Sequence, residues 1–392
     1  MGNLLDDQKS NYYKSPWLKA CMEGNLDTVK RFVENGQSIE AAHSDGATGL
    51  IVACIKGNVN VVRFLLSNGA RVDRTMNDFS PLFYAAKNGH LGVCKLLIAK
   101  GADANQETSK SQSPWLAACE EGHVDIVEFF VENGQDIEVT DRGTAGLVYA
   151  SYHGKADVVR FLLSKGVRVD LTTDKGVMPL FYATQRGHLE VCKELVAKDA
   201  YVHRLTNFNA LPWLMACGVG HLDIVKFFVE NGQDIEVTER DCGTALMGAS
   251  EEGKANVVRF LLSMGACVDR TDANGFSPLY HAVKKGHLAV CKVLVAKGNQ
   301  ETKIGQSPWL KACGKGHLDI VKFFVNNGQD VEVVNTKGFT ALIAASSKGR
   351  ANVLRFLLSK GSRTDRTDAN GVVVELDEGR IVPEGRMLYD FL

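Results

Sequence analysis

The 392-residue chain has almost no excess charge: 45 Lys and Arg stand against 46 Asp and Glu, a net of -1. No general pull toward nucleic acid or anionic lipid is encoded, so a charged partner has to be met by a local patch. Long apolar runs are missing too. None approaches the roughly 20 residues of a membrane-crossing helix, and no membrane span is expected. The opening Met1-Gly2-Asn3-Leu4-Leu5-Asp6-Asp7 lacks the basic start and apolar stretch of a secretory leader. It resembles a myristoylation signal at Gly2, but Asp6 stands where that signal requires Ser or Thr.

Catalytic signatures are equally scarce. There is no Gly-x-x-x-x-Gly-Lys-Ser/Thr, no His-Glu-x-x-His, no Gly-x-Ser-x-Gly and no kinase set. Gly218 and Gly220 form only a fragment of a dinucleotide loop, without the strand that must precede it. Neither an enzyme nor a bound cofactor is expected. No Cys-x-x-Cys pair occurs among the ten cysteines, and the absence of secretory signals makes the cytoplasm the expected compartment, with the nucleus as the alternative.

What is present is repetition. Four segments share almost one text: Ser15-Pro16-Trp17-Leu18, Ser113-Pro114-Trp115-Leu116, Leu211-Pro212-Trp213-Leu214 and Ser307-Pro308-Trp309-Leu310. They contain every tryptophan of the chain. Cousins open at Thr48, Ser80, Ala145, Met178, Thr244, Ser277 and Thr340, and in all eleven units a Gly falls nine positions later. The usual step is 32 or 33 residues, with one of 30, and the text returns most strongly at every third unit.

One unit reads as helix, turn, helix, loop. Ser15 is suited to cap a helix whose first residue is Pro16, since Pro lacks only a donor that the first turn leaves unpaired. Trp17, Leu18, Ala20 and Cys21 line one face, Gly24 breaks the helix, and Leu26, Val29, Phe32 and Val33 mark a second amphipathic helix stopped by Gly36. Helices of about ten residues are marginal alone in water, so the units must stack and bury one another's faces. With 45% hydrophobic and 23% charged residues there is ample material for such a core.

These units resemble ankyrin repeats, whose period is 33 residues and whose first helix opens Thr-Pro-Leu-His-x-Ala. The likeness is clearest at Ser80-Pro81-Leu82-Phe83-Tyr84-Ala85, at Ser277-Pro278-Leu279-Tyr280-His281-Ala282, and at Leu65-Leu66-Ser67-Asn68-Gly69-Ala70. It implies an all-α solenoid of about eleven helix-turn-helix units, curved, with short loops or β-turn fingers between them. Residues 1–14 are expected to lead into this domain, residues 15–365 to form it, and residues 366–392 to hold a truncated repeat and a tail. The terminal Tyr389-Asp390-Phe391-Leu392 faintly resembles a PDZ-domain ligand. The family's His after Pro-Leu is replaced by Leu18, Ile51, Phe83, Val148, Phe181 or Met247, so apolar packing is expected in place of its hydrogen bonds. Units opening at 48, 145, 244 and 340 carry Gly or Ala instead of Pro, and are expected to be softer.

Cys21, Cys54, Cys119, Cys217 and Cys313 share one slot, and Cys94, Cys192 and Cys291 another. Equivalent slots in stacked units lie roughly 10 Å apart, beyond the ~7 Å Cα separation of a disulfide. They read as small buried hydrophobes, leaving Cys242 and Cys267 as possible reactive thiols. His90, His123, His188, His221, His287 and His317 each follow a turn Gly, spread along the stack rather than converging on a metal.

The resemblance implies binding of other proteins through the loop tips and the exposed end of each first helix, by a monomeric scaffold or adaptor. The alternative is a regulatory or targeting subunit of an enzyme complex, itself inert. On the two residues before each turn Gly, acid gathers at Glu120, Glu121, Glu251 and Glu252, beside Tyr152 in the following unit of the first group. Lys284, Lys285, Lys315 and Lys348 form a basic stripe suited to an acidic segment of a partner. Phe79, Phe208, Phe276 and Phe339 near the loop tips are candidate aromatic anchors, with packing against the neighbouring loop as the competing role.

Overall fold

A computed structural model describes residues 14–109, 112–138, 140–141, 144–173, 176–200, 211–238, 243–298 and 307–367. A helix pair follows each of the eleven opening residues, as in Pro81–Lys87 with Leu91–Ala99 and Pro278–Lys285 with Leu288–Ala296. The described residues up to 200 form one compact unit of six pairs, and those from 211 onward a second unit of five. Within each unit the first helices of successive repeats pack side by side, as do the second helices. The first 13 residues, Phe208, Cys242 and the tail from 368 lie outside the described residues.

Local chemistry starts the helices as the sequence predicts. Ser15, Thr48, Ser80, Ser113, Thr244, Ser277, Ser307 and Thr340 each accept, through the side-chain oxygen, the backbone N–H three residues on, at 3.1 to 3.5 Å. Each such bond satisfies one of the four donors that a helix start leaves open. Connecting fingers are pinned by carboxylate and amide turns. Asp272 Oδ1 accepts from the N–H groups of Asn274 and Phe276 at 2.9 Å, and Asn335 Oδ1 from those of Lys337 and Phe339. Strand pairing in the described fingers is minimal: Thr140–Asp141 pairs antiparallel with Thr144–Ala145, and isolated bridges join Ala42 to Thr48 and Met76 to Phe79.

The slot after Pro-Leu is apolar and buried, as expected: Leu18, Ile51, Phe83, Val148, Phe181 and Met247 all lie in the core. Hydrogen bonds between repeats nonetheless exist, supplied by the residue after the turn Gly. Nε2 of His90 donates to Ile55 O at 3.1 Å, His123 to Lys87 O at 3.0 Å, His188 to Tyr152 O at 3.0 Å and His287 to Glu251 O at 2.9 Å. A carbonyl only accepts, so Nε2 carries the proton. Asn58 Nδ2 donates likewise to the carbonyls of Cys21 and Met22, and Arg350 Nε to Gly314 O. These acceptors belong to the last turn of the preceding first helix, whose carbonyls have no partner inside the helix. One side chain thus opens its own second helix and closes its neighbour's first.

This contact also explains the turn glycine. Gly57 has φ +72, and a Cβ there would stand 2.5 Å from His90 Nδ1. At Gly122 and Gly220 the aliphatic stems of Lys155 and Lys254 occupy the same space.

The triplet pattern has a packing cause. All four tryptophans are buried, and a Cβ at Gly49 would lie 2.9 Å from Trp17 Cζ2 and 3.0 Å from Cys21 Sγ. At Gly146 it would lie 3.1 Å from Trp115 Nε1. At Gly49 and Gly146 the repeat after a tryptophan therefore opens with a small residue because the indole lies against its first turn, and the other two tryptophan repeats are followed by Ala245 and Ala341 in the same place. Of these four starts, Thr48, Thr244 and Thr340 form side-chain caps and Ala145 does not, and Ala245 and Ala341 are 1% and 0% exposed. A carboxylate clamp accompanies each indole. Glu40 accepts from Arg71 N at 3.0 Å, Glu138 from Arg168 N at 3.1 Å, Glu236 from Cys267 N at 2.9 Å and Glu332 from Arg363 N at 3.0 Å. Glu40, Glu236 and Glu332 each also pair with an arginine of that next finger: Arg74, Arg270 and Arg366.

Eight of the nine described cysteines are buried and all nine are free. Burial pushes the thiols of Cys21, Cys94, Cys192 and Cys291 up to about 12 from the usual 9.0, and those of Cys54, Cys119, Cys217 and Cys313 upward as well. Below pH 9 these thiols are neutral in both folded and unfolded chains. Above it the unfolded chain loses its protons first, so stability declines from about pH 9 to about pH 12 as the folded values are approached. In a Cys242→Ser background, Ellman's reagent should titrate one fast thiol, Cys267, in the folded protein and all nine after urea. Rapid reaction of several thiols without urea would refute the buried assignment.

Two alanine substitutions isolate the turn contact. Gly36→Ala and Gly57→Ala share the cost of a left-handed residue, roughly 1–2 kcal/mol, but the space beside Gly36 is open while that beside Gly57 holds His90. Urea unfolding should show the larger loss for Gly57→Ala, by about 1 kcal/mol or more, and His90→Ala should relieve the difference. Equal losses would exclude His90 as its cause.

Candidate functional ridge

The end of each first helix leaves a row of side chains that the core does not consume. Geometry along the row is regular. The residue two before the turn Gly in one repeat faces two residues of the next: one four after the opening residue, and one just before the turn Gly. Glu251 meets His281 and Lys285 in this way, and Tyr152 meets Tyr182 and Arg186.

In the second compact unit the basic stripe divides. Lys284 and Lys285 are exposed at the end of Pro278–Lys285, but their Nζ atoms lie 4.0 and 3.5 Å from Glu251 Oε1. Glu251 Oε2 is 3.7 Å from His281 Nδ1, whose ring carries Asp272 Oδ2 3.0 Å from Nε2. The predicted acid and two predicted lysines are thus partners of one another. Glu252 is exposed beside them. Lys315 and Lys348 are exposed and have no acidic partner among the described residues. Lys311, which the sequence reading missed, adds a third cation with Nζ 5.3 Å from the Tyr280 ring centre.

In the first unit the acids are also engaged. Glu120 Oε1 lies 3.7 Å from His153 Nε2, and Glu121 Oε1 3.6 Å from Lys87 Nζ. Tyr152 packs edge-to-face on Tyr182, with ring centres 5.3 Å apart, and the Arg186 guanidinium lies 4.1 Å from the Tyr152 ring centre. Tyr182 and Lys311 lie outside the pair of residues before the turn Gly that marks the ridge in the sequence. The readable signal was the slot four after the opening residue, which carries Lys19, Tyr84, Tyr149, Tyr182, His281 and Lys311.

Two of the candidate aromatic anchors stack on their own first helices, and the three that are described are half-buried. Phe79 stacks on Phe83 and Phe276 on Tyr280, each with centres 4.2 Å apart. Phe339 is half-buried on a finger pinned by Asn335, and Phe208 lies outside the described residues. Among the described residues no group of three or more His, Cys, Asp or Glu is placed to hold a metal ion. No helix among them is long and apolar enough to cross a membrane.

Comparison with known proteins points the same way as the geometry. A family profile described as ankyrin repeats in three copies matches residues 17–108, 72–141, 114–206, 213–304 and 299–368. The chain is 29% identical over 181 residues to an ankyrin repeat and KH domain-containing protein, mask-1, of Caenorhabditis elegans, covering 42% of this chain and 7% of that protein. It is 32% identical over 87 residues to a probable E3 ubiquitin-protein ligase, XBOS32, of Oryza sativa subsp. japonica, covering 22% of this chain and 18% of that protein. The chain therefore spans under a fifth of the length of these two relatives. Among solved structures, the human ASB11 ankyrin repeat domain matches with a TM-score of 0.48 at 26% identity, over 52% of this chain and 91% of that one. Matched from residue 17 to residue 368 with only a short gap, the chain belongs to the ankyrin-repeat family.

Proposed function

We propose that this chain is a non-catalytic scaffold or adaptor, with residues 15–365 as its interaction domain and the first-helix ridge as its binding surface. Ankyrin repeats bind other proteins; the ridge and its finer roles are this chain's own case. One observation carries the reading. Triplet copies keep nearly the same buried text, yet the two ridge residues before the turn Gly differ from copy to copy: Met22-Glu23, Glu120-Glu121, Gly218-Val219 and Gly314-Lys315 in the tryptophan repeats. A purely architectural position would stay alike in copies that share their packing. Met22 is buried, but the other seven are exposed or half-buried, and divergence at such a row suits recognition, where specificity is set by a few surface groups on a constant frame.

Within that row, Lys311, Lys315 and Lys348 are the cations suited to an acidic segment of a partner protein, by charge complementarity. Lys284 and Lys285 contribute less, because Glu251 already offsets them. Affinity capture with the full chain should retain partners that are lost as salt rises. The same partners should be lost on Lys315→Glu with Lys348→Glu, and largely kept on Lys284→Glu. Retention of every partner by the doubly reversed chain would overturn the basic-stripe reading.

A further inference from the structure

The sharpest contrast on the ridge lies between two equivalent pairs of slots. In the eighth and ninth repeats, Glu251 and Lys285 form an ion pair at 3.5 Å. In the fifth and sixth repeats the same slots hold Tyr152 and Arg186. Arg186 has lost the carboxylate that its counterpart meets, and among the described residues it has no acidic partner. Its guanidinium lies instead over the Tyr152 ring at 4.1 Å, which leaves the N–H edge of a planar fork free to receive a carboxylate.

The aromatic floor beneath it is held in place. Tyr152 meets Tyr182 edge-to-face at 82°, its backbone carbonyl accepts from His188 Nε2 at 3.0 Å, and His153 beside it faces Glu120. A finger-bracing role does not account for these tyrosines. Tyr84, in the slot of Tyr182, is buried and donates its hydroxyl to Met76 O at 3.0 Å, whereas Tyr152 and Tyr182 are half-buried and their hydroxyls make no hydrogen bond among the described residues. Tyr and Arg on a preformed surface are the side chains that dominate binding at protein interfaces.

We propose that Tyr152, Tyr182 and Arg186 dock a partner-protein segment bearing an Asp or Glu beside an aromatic residue. The partner's carboxylate takes the fork of Arg186, in the role that Glu251 fills for Lys285, and its ring packs on the tyrosine pair. This inference rests on the interaction reading above but uses a different part of the ridge from the basic stripe.

Random short peptides displayed on phage and selected on the full chain provide the probe. Selected sequences should share an acidic residue next to Phe, Tyr or Trp. Synthetic copies should lose affinity at least about tenfold, by titration calorimetry, with Arg186→Glu or Tyr152→Ala. Arg186→Lys, which keeps the charge but not the fork, should fall between. The Lys315→Glu, Lys348→Glu variant should bind them unchanged. Selected peptides indifferent to Arg186 and Tyr152 but lost on reversal of Lys315 and Lys348 would overturn this inference and leave the interaction reading standing. Failure to enrich any peptide would count against both.

Discussion

Everything in this fold depends on how the first helix of one repeat is closed by the next. The first helices run only six to eight residues, too short to persist in water, and their last carbonyls face outward without internal partners. Side chains after the turn glycine meet that need across the repeat boundary, from Asn58, His90, His123, His188, His287 and Arg350. The turn glycine of the preceding repeat leaves room for each of these side chains and adopts the left-handed turn at once. Stacking and local termination are therefore a single event at these six boundaries, four in the first compact unit and two in the second.

A second layer of order has a period of three repeats. A tryptophan, the small residue on which its indole rests, and a glutamate clamping the next finger travel together. The junction after each tryptophan repeat is thereby built differently from the other two. The ridge above shows the converse: where Glu251 and Lys285 pair, the surface satisfies itself, and where Tyr152 and Arg186 stand, it does not. A frame held by repeated buried contacts frees the exposed row to diverge without loss of stability.

The helix pairs, caps, turns and buried cysteine slots were legible because each depends on residues close in sequence, such as Ser80 before Pro81 or Gly36 after the second helix. Contacts across a repeat boundary were not. That His90 serves Ile55, or that Gly49 is small because Trp17 lies against it, requires knowing which side chains the stack brings together. The candidate site divided in the same way. Exposure of the lysines followed from their place at the helix end, but the pairing of Lys284 and Lys285 with Glu251 joins residues a full repeat apart, and a one-dimensional reading placed these groups in separate patches. The place of Phe79 and Phe276 near a finger tip suggests exposure, whereas each ring folds back onto its own first helix, a contact that the sequence alone does not reveal.

Native-state hydrogen exchange on His123→Ala tests the closing contact most directly. His123 begins Val124–Glu132 and donates to Lys87 O at the end of Pro81–Lys87. Amide protection should fall together in both helices, on either side of the repeat boundary, while residues from 211 onward keep theirs. A loss confined to Val124–Glu132, with Pro81–Lys87 unaffected, would contradict the claim that each repeat is completed by its neighbour.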